Sequence, residues 1–238
     1  EAARIGKERG IPVIVLTWIP DSPITQYADY VIPYTFGDNK DIAGEKTIKG
    51  LLLAVEILNQ TEGYPNYEKF MDGVSKINQI VRNACRLVQR RAREFARNYK
   101  DDKVIYTIGS GAGFGAAYME CICIFMEMQW INSNAIHSGE YFHGPFEITD
   151  KELPFILQLS EGKTRALDER ALNFLERYAR RIEVLDAKEL GLSTIDASVV
   201  DYFNHSLYNN VYVVYNQALA EARQHPLSTR RYMWKVNY

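Results

Sequence analysis

The 238-residue sequence has few cysteines, no long apolar run and no concentration of positive charge. Its three cysteines, Cys85, Cys121 and Cys123, match neither a disulfide framework nor a zinc site, which favours reduced thiols and a cytoplasmic protein. No apolar run approaches the ~20 residues of a membrane-spanning helix. The net charge of −2 comes without a long basic patch. We therefore expect neither a membrane nor a nucleic acid as partner.

What the sequence does contain is a regular alternation of strand and helix patterns. Hydrophobic residues make up 47% of the chain, which is enough for a substantial core. Strands are predicted at 11–18, 28–34, 104–108, 133–137, 155–159 and 182–185, the first of them fully buried. Helices are predicted over 41–60, 67–99, a long stretch from 117, one ending near 180, and 201–222. This alternation predicts an α/β fold with parallel sheets and helices on both faces.

The patterns also suggest three segments. Residues 1–63 are expected to be the C-terminal half of a first module, residues 64–101 a helical linker, and residues 102–238 a second module with a C-terminal tail. The first ten residues already have the pattern of the end of an amphipathic helix that stops at Gly10. We therefore expect the first module to be incomplete at its N-terminus.

One carboxylate, Glu127, lies within an unusually apolar helical stretch. At α-helical spacing its neighbours are Cys123, Ile124, Trp130 and Ile131, so this face is expected to be buried. A carboxylate among apolar side chains is costly to ionise, which suits a general base working near neutral pH. The alternative is a structural role, in which the carboxylate caps a buried arginine or a backbone group.

A histidine follows sixteen residues later. His143 precedes Gly144-Pro145, which ends any helix and leaves the imidazole at a turn. Glutamate and histidine together form an acid–base pair suited to moving protons on a carbon next to a carbonyl. A simple turn residue is the alternative for His143.

The glycine-rich stretch Gly109–Gly115 is placed between a predicted strand and a predicted helix. Backbone amides at such a position can bind an anion, although a tight turn that only packs helix on strand fits equally well. Phe114 stands where a dinucleotide fingerprint would require its third glycine, so a dinucleotide is not expected.

Three motifs together resemble the sugar isomerase (SIS) family. They are Gly109-Ser-Gly111, the loop Ser160-Glu-Gly-Lys-Thr164, and Ser138-Gly-Glu-x-x-His-Gly-Pro145, the last similar to the catalytic segment of the glucosamine-6-phosphate synthase isomerase domain. The resemblance implies three-layer α-β-α, flavodoxin-like modules with parallel sheets, two in tandem. It also implies a homodimer in which His143 reaches the active site of the neighbouring subunit.

Within that family, three further segments resemble deglycases of bacterial fructose-asparagine catabolism. They are Asp41–Thr47, Phe125–Trp130 and Arg230–Lys235. The implied reaction cleaves a 6-phosphorylated Amadori compound, 6-phosphofructose-aspartate, to glucose 6-phosphate and aspartate. In it, Glu127 would take the C1 proton and His143 would open the sugar ring or act as general acid.

The same resemblance implies further substrate contacts, from Lys235 in the tail and from Gly109, Ser110 and Glu140. For Lys235, an exposed tail residue is the equal alternative. Three different functions also fit the family motifs: an aldose–ketose isomerase, a fructoselysine-6-phosphate deglycase, and a regulatory domain that senses a sugar phosphate without converting it.

Phosphate is not expected at the loop of the second module. Leu159 and Glu161 occupy the positions where the family has serines, and a glutamate would repel the anion. Phosphate binding is expected instead in the N-terminal part of the first module. No metal or other cofactor is expected, because the four histidines show no ligand spacing.

Overall fold

The computed structural model describes residues 1–37 and 41–237 and divides the chain into two compact units, Glu1–Asn78 and Gln79–Tyr238. The helices are α1 (Ala2–Glu8), α2 (Lys46–Thr61), α3 (Tyr67–Leu87), α4 (Gln89–Tyr99), α5 (Phe114–Met119), α6 (Arg165–Tyr178) and α7 (Asn204–Ala222). The strands are β1 (Ile14–Thr17), β2 (Tyr30–Pro33), β3 (Val104–Gly109), β4 (Asn132–His137), β5 (Phe155–Leu159) and β6 (Ile182–Asp186). Within the described ranges, no helix is long and apolar enough to cross a membrane.

In the first unit, β1 and β2 form a parallel pair, with Ile14 opposite Tyr30. The strand expected to be fully buried is not: Val15 is buried, but Ile14 is 38% exposed. That part of the prediction is wrong. A parallel strand is buried on both faces only where both faces of its sheet are covered, and the exposure of Ile14 beside the buried Val15 shows that one face of β1 is left partly open.

The second unit contains a four-stranded sheet in the order β4-β3-β5-β6, with every pair parallel. All five residues of β5 are buried. Phe155, Leu157 and Leu159 pack in a cluster with Leu175 of α6. On the opposite face, the Gln158 amide hydrogen-bonds the Tyr212 hydroxyl of α7 at 2.9 Å. Helices therefore cover both faces of this strand, and the predicted α/β fold with parallel sheets is confirmed.

Helix α4 contributes to the core of the second unit, although its sequence suggested a linker. Phe95 stacks on Tyr99 with ring centroids 4.5 Å apart and meets Tyr215 of α7 edge-on at 5.4 Å. Arg91 forms an ion pair with Glu183 of β6 at 2.8 Å. The charged residues that dominate the sequence of α4 occupy its outer side, while a narrow apolar face is buried.

The long helix predicted after the glycine-rich stretch changes character partway along. It begins as α5 and continues as a π-helix over Glu120–Met128. At its end the amide of Gln129 donates to the carbonyl of Ile124, five residues earlier, at 2.8 Å. Trp130 then adopts a left-handed backbone conformation with φ of 55°. A π-helix turns more slowly per residue than an α-helix, so side chains here do not follow α-helical spacing.

Candidate active site

Glu127 lies on the π-helix at the wall of a cavity of about 450 Å³. The cavity is lined by Met126, Glu127, Trp130, Ile131, Asn132, Arg230, Arg231, Tyr232 and Met233. The side chain of Glu127 is 25% exposed, and its Oε1 pairs with Nη2 of Arg230 at 3.0 Å. Its Oε2 accepts no hydrogen bond within the described part of the chain. One carboxylate oxygen is thus held by a guanidinium while the other is unengaged.

The expected apolar burial of Glu127 is therefore wrong. Among its predicted neighbours Ile131 is buried, but Trp130 is 41% exposed and Cys123 is only partly buried. The error has two physical causes. The π-helix rotates the face away from the α-helical prediction, and the C-terminal tail brings a cation to Glu127 that no local pattern could indicate.

The tail residue Arg230 is the side chain that orients Glu127. Its Nη1 donates to the carbonyls of Leu227 and Thr229 at 2.7 and 2.9 Å, which fixes the guanidinium plane. Its Nε is buried and has no partner among the described residues. The guanidinium also faces the ring of Trp234 at 5.7 Å. Arg230 belongs to one of the family motifs of the sequence, but its role there was not predicted.

Arg231, the next residue, is exposed at the same cavity and stacks on its wall. Its guanidinium carbon lies 4.1 Å from the centroid of the Trp130 ring. In the described chain its N–H groups donate no hydrogen bond and form no ion pair. The backbone of Trp130 is strained, since a bulky residue with positive φ is an outlier, and such strain often marks functional sites.

Lys235 also belongs to the tail but not to the cavity lining. Its Nζ donates to the carbonyl of Arg230 at 2.6 Å, which closes a turn of the tail on itself. In this arrangement Lys235 supports the segment that carries Arg230 and Arg231. Its predicted contact with substrate stays a prediction.

His143 is exposed in a short 3-10 turn, Tyr141–His143, and is not among the residues that line the cavity of Glu127. Its amide donates to the carbonyl of Glu140 at 2.9 Å, and Gly144 follows with φ of 141°, a conformation that glycine adopts readily. The imidazole has no partner within the described ranges, and Glu140 is exposed as well. The turn predicted for His143 is present, and the roles of both side chains stay predictions.

Gly109 and Ser110 lie at the end of β3 and are buried. A Cβ added at Gly109 would come within 2.5 Å of the side-chain oxygen of Gln158, which would have to move. Ser110 Oγ is 3.4 Å from the carbonyl of Thr164. Gly109 packs against Gln158 and Ser110 contacts the loop at Thr164, so both residues have a packing role here. Their substrate contact remains a prediction without an accessible surface to support it.

The loop Ser160–Thr164 directs its backbone amides at side chains of the same chain. The amide of Ser160 donates to Asp168 at 2.9 Å, that of Glu161 to Asn204 at 2.9 Å, and that of Lys163 to Asp201 at 3.0 Å. Two of these acceptors are carboxylates, placed where an anionic ligand would otherwise accept. Burial raises the pKa of Asp168, although its hydrogen bonds, foremost that from Ser138, oppose the rise.

A second carboxylate, Glu120, was missed from the sequence. It lies one residue beyond α5, is 1% exposed, and accepts from Nδ2 of Asn216 on α7 at 3.1 Å. Burial raises its pKa from 4.5 to about 8, and the hydrogen bond from Asn216 opposes that rise. Its position between the apolar residues Met119 and Cys121 was the sequence signal that could have identified it.

In residues 1–37 and 41–237, no cluster of three or more His, Cys, Asp or Glu side chains could hold a metal ion.

Comparison with known proteins finds relatives whose sequences match most or all of this chain. The sequence is 42% identical over 240 residues to fructosamine deglycase FrlB of Bacillus subtilis (strain 168), covering 100% of this chain and 73% of that protein. It is 28% identical over 194 residues to fructoselysine 6-phosphate deglycase of Escherichia coli (strain K12), covering 80% of this chain and 55% of that protein. No family model matches the sequence.

Solved structures give the same picture of the fold. A Salmonella typhimurium LT2 protein described as a phosphosugar isomerase superposes with a TM-score of 0.93 and 50% identity, covering 100% of this chain and 74% of that one. The C-terminal domain of glucosamine-fructose-6-phosphate aminotransferase from Francisella tularensis superposes with a TM-score of 0.75 at 13% identity, covering 95% and 67%. The second likeness concerns the fold alone.

Proposed function

The chain belongs to the deglycase group of the sugar isomerase (SIS) family, and we propose that it cleaves 6-phosphofructose-aspartate to glucose 6-phosphate and aspartate. The observation that carries this proposal is the state of Glu127. It is the carboxylate of the cavity, with one oxygen held by Arg230 and the other unengaged. The identity to a fructosamine deglycase over the whole chain supports the reaction class.

In the proposed reaction Glu127 removes a proton from C1 of the opened ketose-amine, which gives a 1,2-enaminol. Return of a proton at C2 gives an aldose imine. Water then adds to the imine carbon, and the carbon–nitrogen bond breaks to release glucose 6-phosphate and free aspartate. The ion pair with Arg230 fixes the carboxylate so that Oε2 is the oxygen available for the proton.

We assign the acid role to His143 of a neighbouring subunit in a homodimer. The imidazole is exposed, has no partner in the described chain and does not line the cavity of its own Glu127. An exposed histidine with no partner in the described chain, carried on a hydrogen-bonded turn, is suited to complete the cavity of another subunit. There it would open the sugar ring or protonate its oxygen.

We place the phosphate of the substrate away from the Ser160–Thr164 loop. Three amides of that loop already donate to side chains of the chain itself, two of them carboxylates. An incoming phosphate would have to displace these carboxylates and would be repelled by them.

The three cysteines are free thiols, which fits the cytoplasmic setting proposed for this reaction.

A substrate profile of the whole protein tests the function. We expect release of the amino acid and of glucose 6-phosphate, fastest from the aspartate adduct of fructose 6-phosphate. Faster release from the lysine adduct would contradict the aspartate assignment and identify this protein as a fructoselysine 6-phosphate deglycase, like the Escherichia coli relative. Interconversion of aldose and ketose phosphates without amino acid release would assign an isomerase. Binding without any turnover would assign a sensor.

A further inference from the structure

The cavity beside Glu127 carries one positive charge that no group of the described chain balances. Of its ionised lining residues, Glu127 pairs with Arg230, and Arg231 remains. The guanidinium carbon of Arg231 lies over the Trp130 ring, 4.1 Å from its centroid, which holds the guanidinium at the cavity wall. A guanidinium stacked on an aromatic face still presents its N–H donors at the edge, in the fork geometry that matches a carboxylate.

The chemistry of the proposed substrate supplies a matching anion. In an amino-acid adduct the nitrogen joins C1 of the sugar to the α-carbon, so the α-carboxylate is only a few bonds from the carbon that loses its proton. A carboxylate base at C1 therefore works beside a second carboxylate of the same charge. Two like charges at that separation repel strongly in a partly desolvated cavity, so binding requires a cation on the substrate side of the base.

We infer that Arg231 is a specificity-determining residue that binds the α-carboxylate of the amino acid in the substrate. The inference rests on the proposed function and deepens it. Arg230 holds the base, and Arg231, the next residue of the same tail segment, receives the substrate anion.

The test uses three adducts of fructose 6-phosphate that differ only in their carboxylates. The aspartate adduct has both carboxylates, the alanine adduct retains only the α-carboxylate, and the β-alanine adduct retains only the other one. In Arg231→Gln we expect kcat/KM to fall about 10- to 100-fold for the aspartate and alanine adducts, the loss of one charge-assisted bidentate contact. We expect it to stay unchanged for the β-alanine adduct. Equal losses for all three adducts, or no loss for any, would overturn the inference.

Two matched variants accompany this measurement. Arg231→Lys keeps the charge but not the fork, and we expect it to recover part of the loss for the alanine adduct. Arg177→Gln removes an exposed arginine of α6 and is expected to change none of the three values. If kcat/KM falls in Arg177→Gln as it does in Arg231→Gln, the inference is overturned. The loss would then come from the change in net charge of the protein and not from a contact made by Arg231.

A binding measurement separates this inference from the proposed function. Calorimetry with the Glu127→Gln protein compares the alanine and β-alanine adducts, with and without Arg231→Gln. We expect the alanine adduct to bind more tightly, and the difference to vanish without Arg231. If the wild-type protein releases no amino acid from any adduct, the proposed function fails, and the calorimetric difference alone decides the role of Arg231. Absence of that difference would overturn the inference even in an active deglycase.

Discussion

Two glutamates seven residues apart show how strongly surroundings decide what a carboxylate can do. Glu127 has access to a cavity and is paired with Arg230. Glu120, the first residue of the π-helix, is buried and accepts one hydrogen bond from Asn216 of α7. Burial without a countercharge raises the pKa of Glu120 and favours its neutral acid form. The first position suits a base, and the second a neutral hydrogen-bonding group.

The buried Glu120 makes stability depend on pH in an unusual direction. Its pKa is about 8 in the folded protein and 4.5 when burial is lost. Between these values the folded state binds more protons than the unfolded state, so the free energy of unfolding decreases as the pH rises. We expect the contribution of this group to fall by on the order of a few kcal/mol across that window.

Urea unfolding of the wild-type protein and of Glu120→Gln between pH 5 and pH 8 measures this contribution. Glutamine keeps an acceptor for Asn216 but does not ionise, so the variant is expected to gain stability relative to the wild type as the pH rises. Glu176→Gln, at an exposed position of α6, is the matched control. Its free energy of unfolding should change with pH in the same way as that of the wild type. Parallel curves for Glu120→Gln as well would mean that Glu120 ionises as freely as a solvent-exposed acid.

At the scale of elements, the sheet of the second unit was predictable and the helix beside the site was not. β5 is apolar except for Gln158, and such short apolar runs between turn residues indicate a strand covered on both faces. The predicted bounds of β3, β4 and β6 also differ from the structure by only one residue, although β4 and β6 are less apolar than β5. These strands place the glycine-rich turn and the Ser138–Pro145 segment at the same edge of the sheet.

The π-helix has no comparable sequence signal. Apart from Glu120 and Glu127 every residue of Glu120–Met128 is apolar, so no periodicity distinguishes an i to i+5 from an i to i+4 hydrogen-bond pattern. The candidate base was identifiable by type, but its surroundings were not. The contact between Arg230 and Glu127 joins distant parts of the chain, and only the folded path of the tail brings them together.

For the whole molecule, the main claim concerns which chain supplies each half of the acid–base pair. The described cavity contains Glu127 but not His143, and the imidazole of His143 is exposed. The resemblance to SIS enzymes implies that the histidine comes from the neighbouring subunit, and this stays a prediction. The location of Glu127 follows from one element and the tail, whereas the proposed pairing with His143 requires a second subunit.

Mixing of inactive subunits tests the proposed sharing of the site. Glu127→Gln and His143→Ala proteins are each expected to be inactive as homodimers. After dissociation and reassociation together, a mixed dimer has one site with both residues intact, so part of the wild-type activity should return. No recovery, although the mixed dimer forms in native mass spectrometry, would assign Glu127 and His143 to the same chain.

Transfer of the C1 proton to Glu127 is the step most open to direct measurement. The measurement is the single-turnover rate of aspartate release from 6-phosphofructose-aspartate, with hydrogen or deuterium at C1, by the wild-type protein and by Glu127→Gln. We expect a slower wild-type rate with deuterium, and in Glu127→Gln a loss of about 10²–10⁴-fold, as for removal of a general base. The assignment of Glu127 as the base would be contradicted if the wild-type rate were the same with hydrogen and deuterium at C1 and the rate of Glu127→Gln were no lower than that of the wild type.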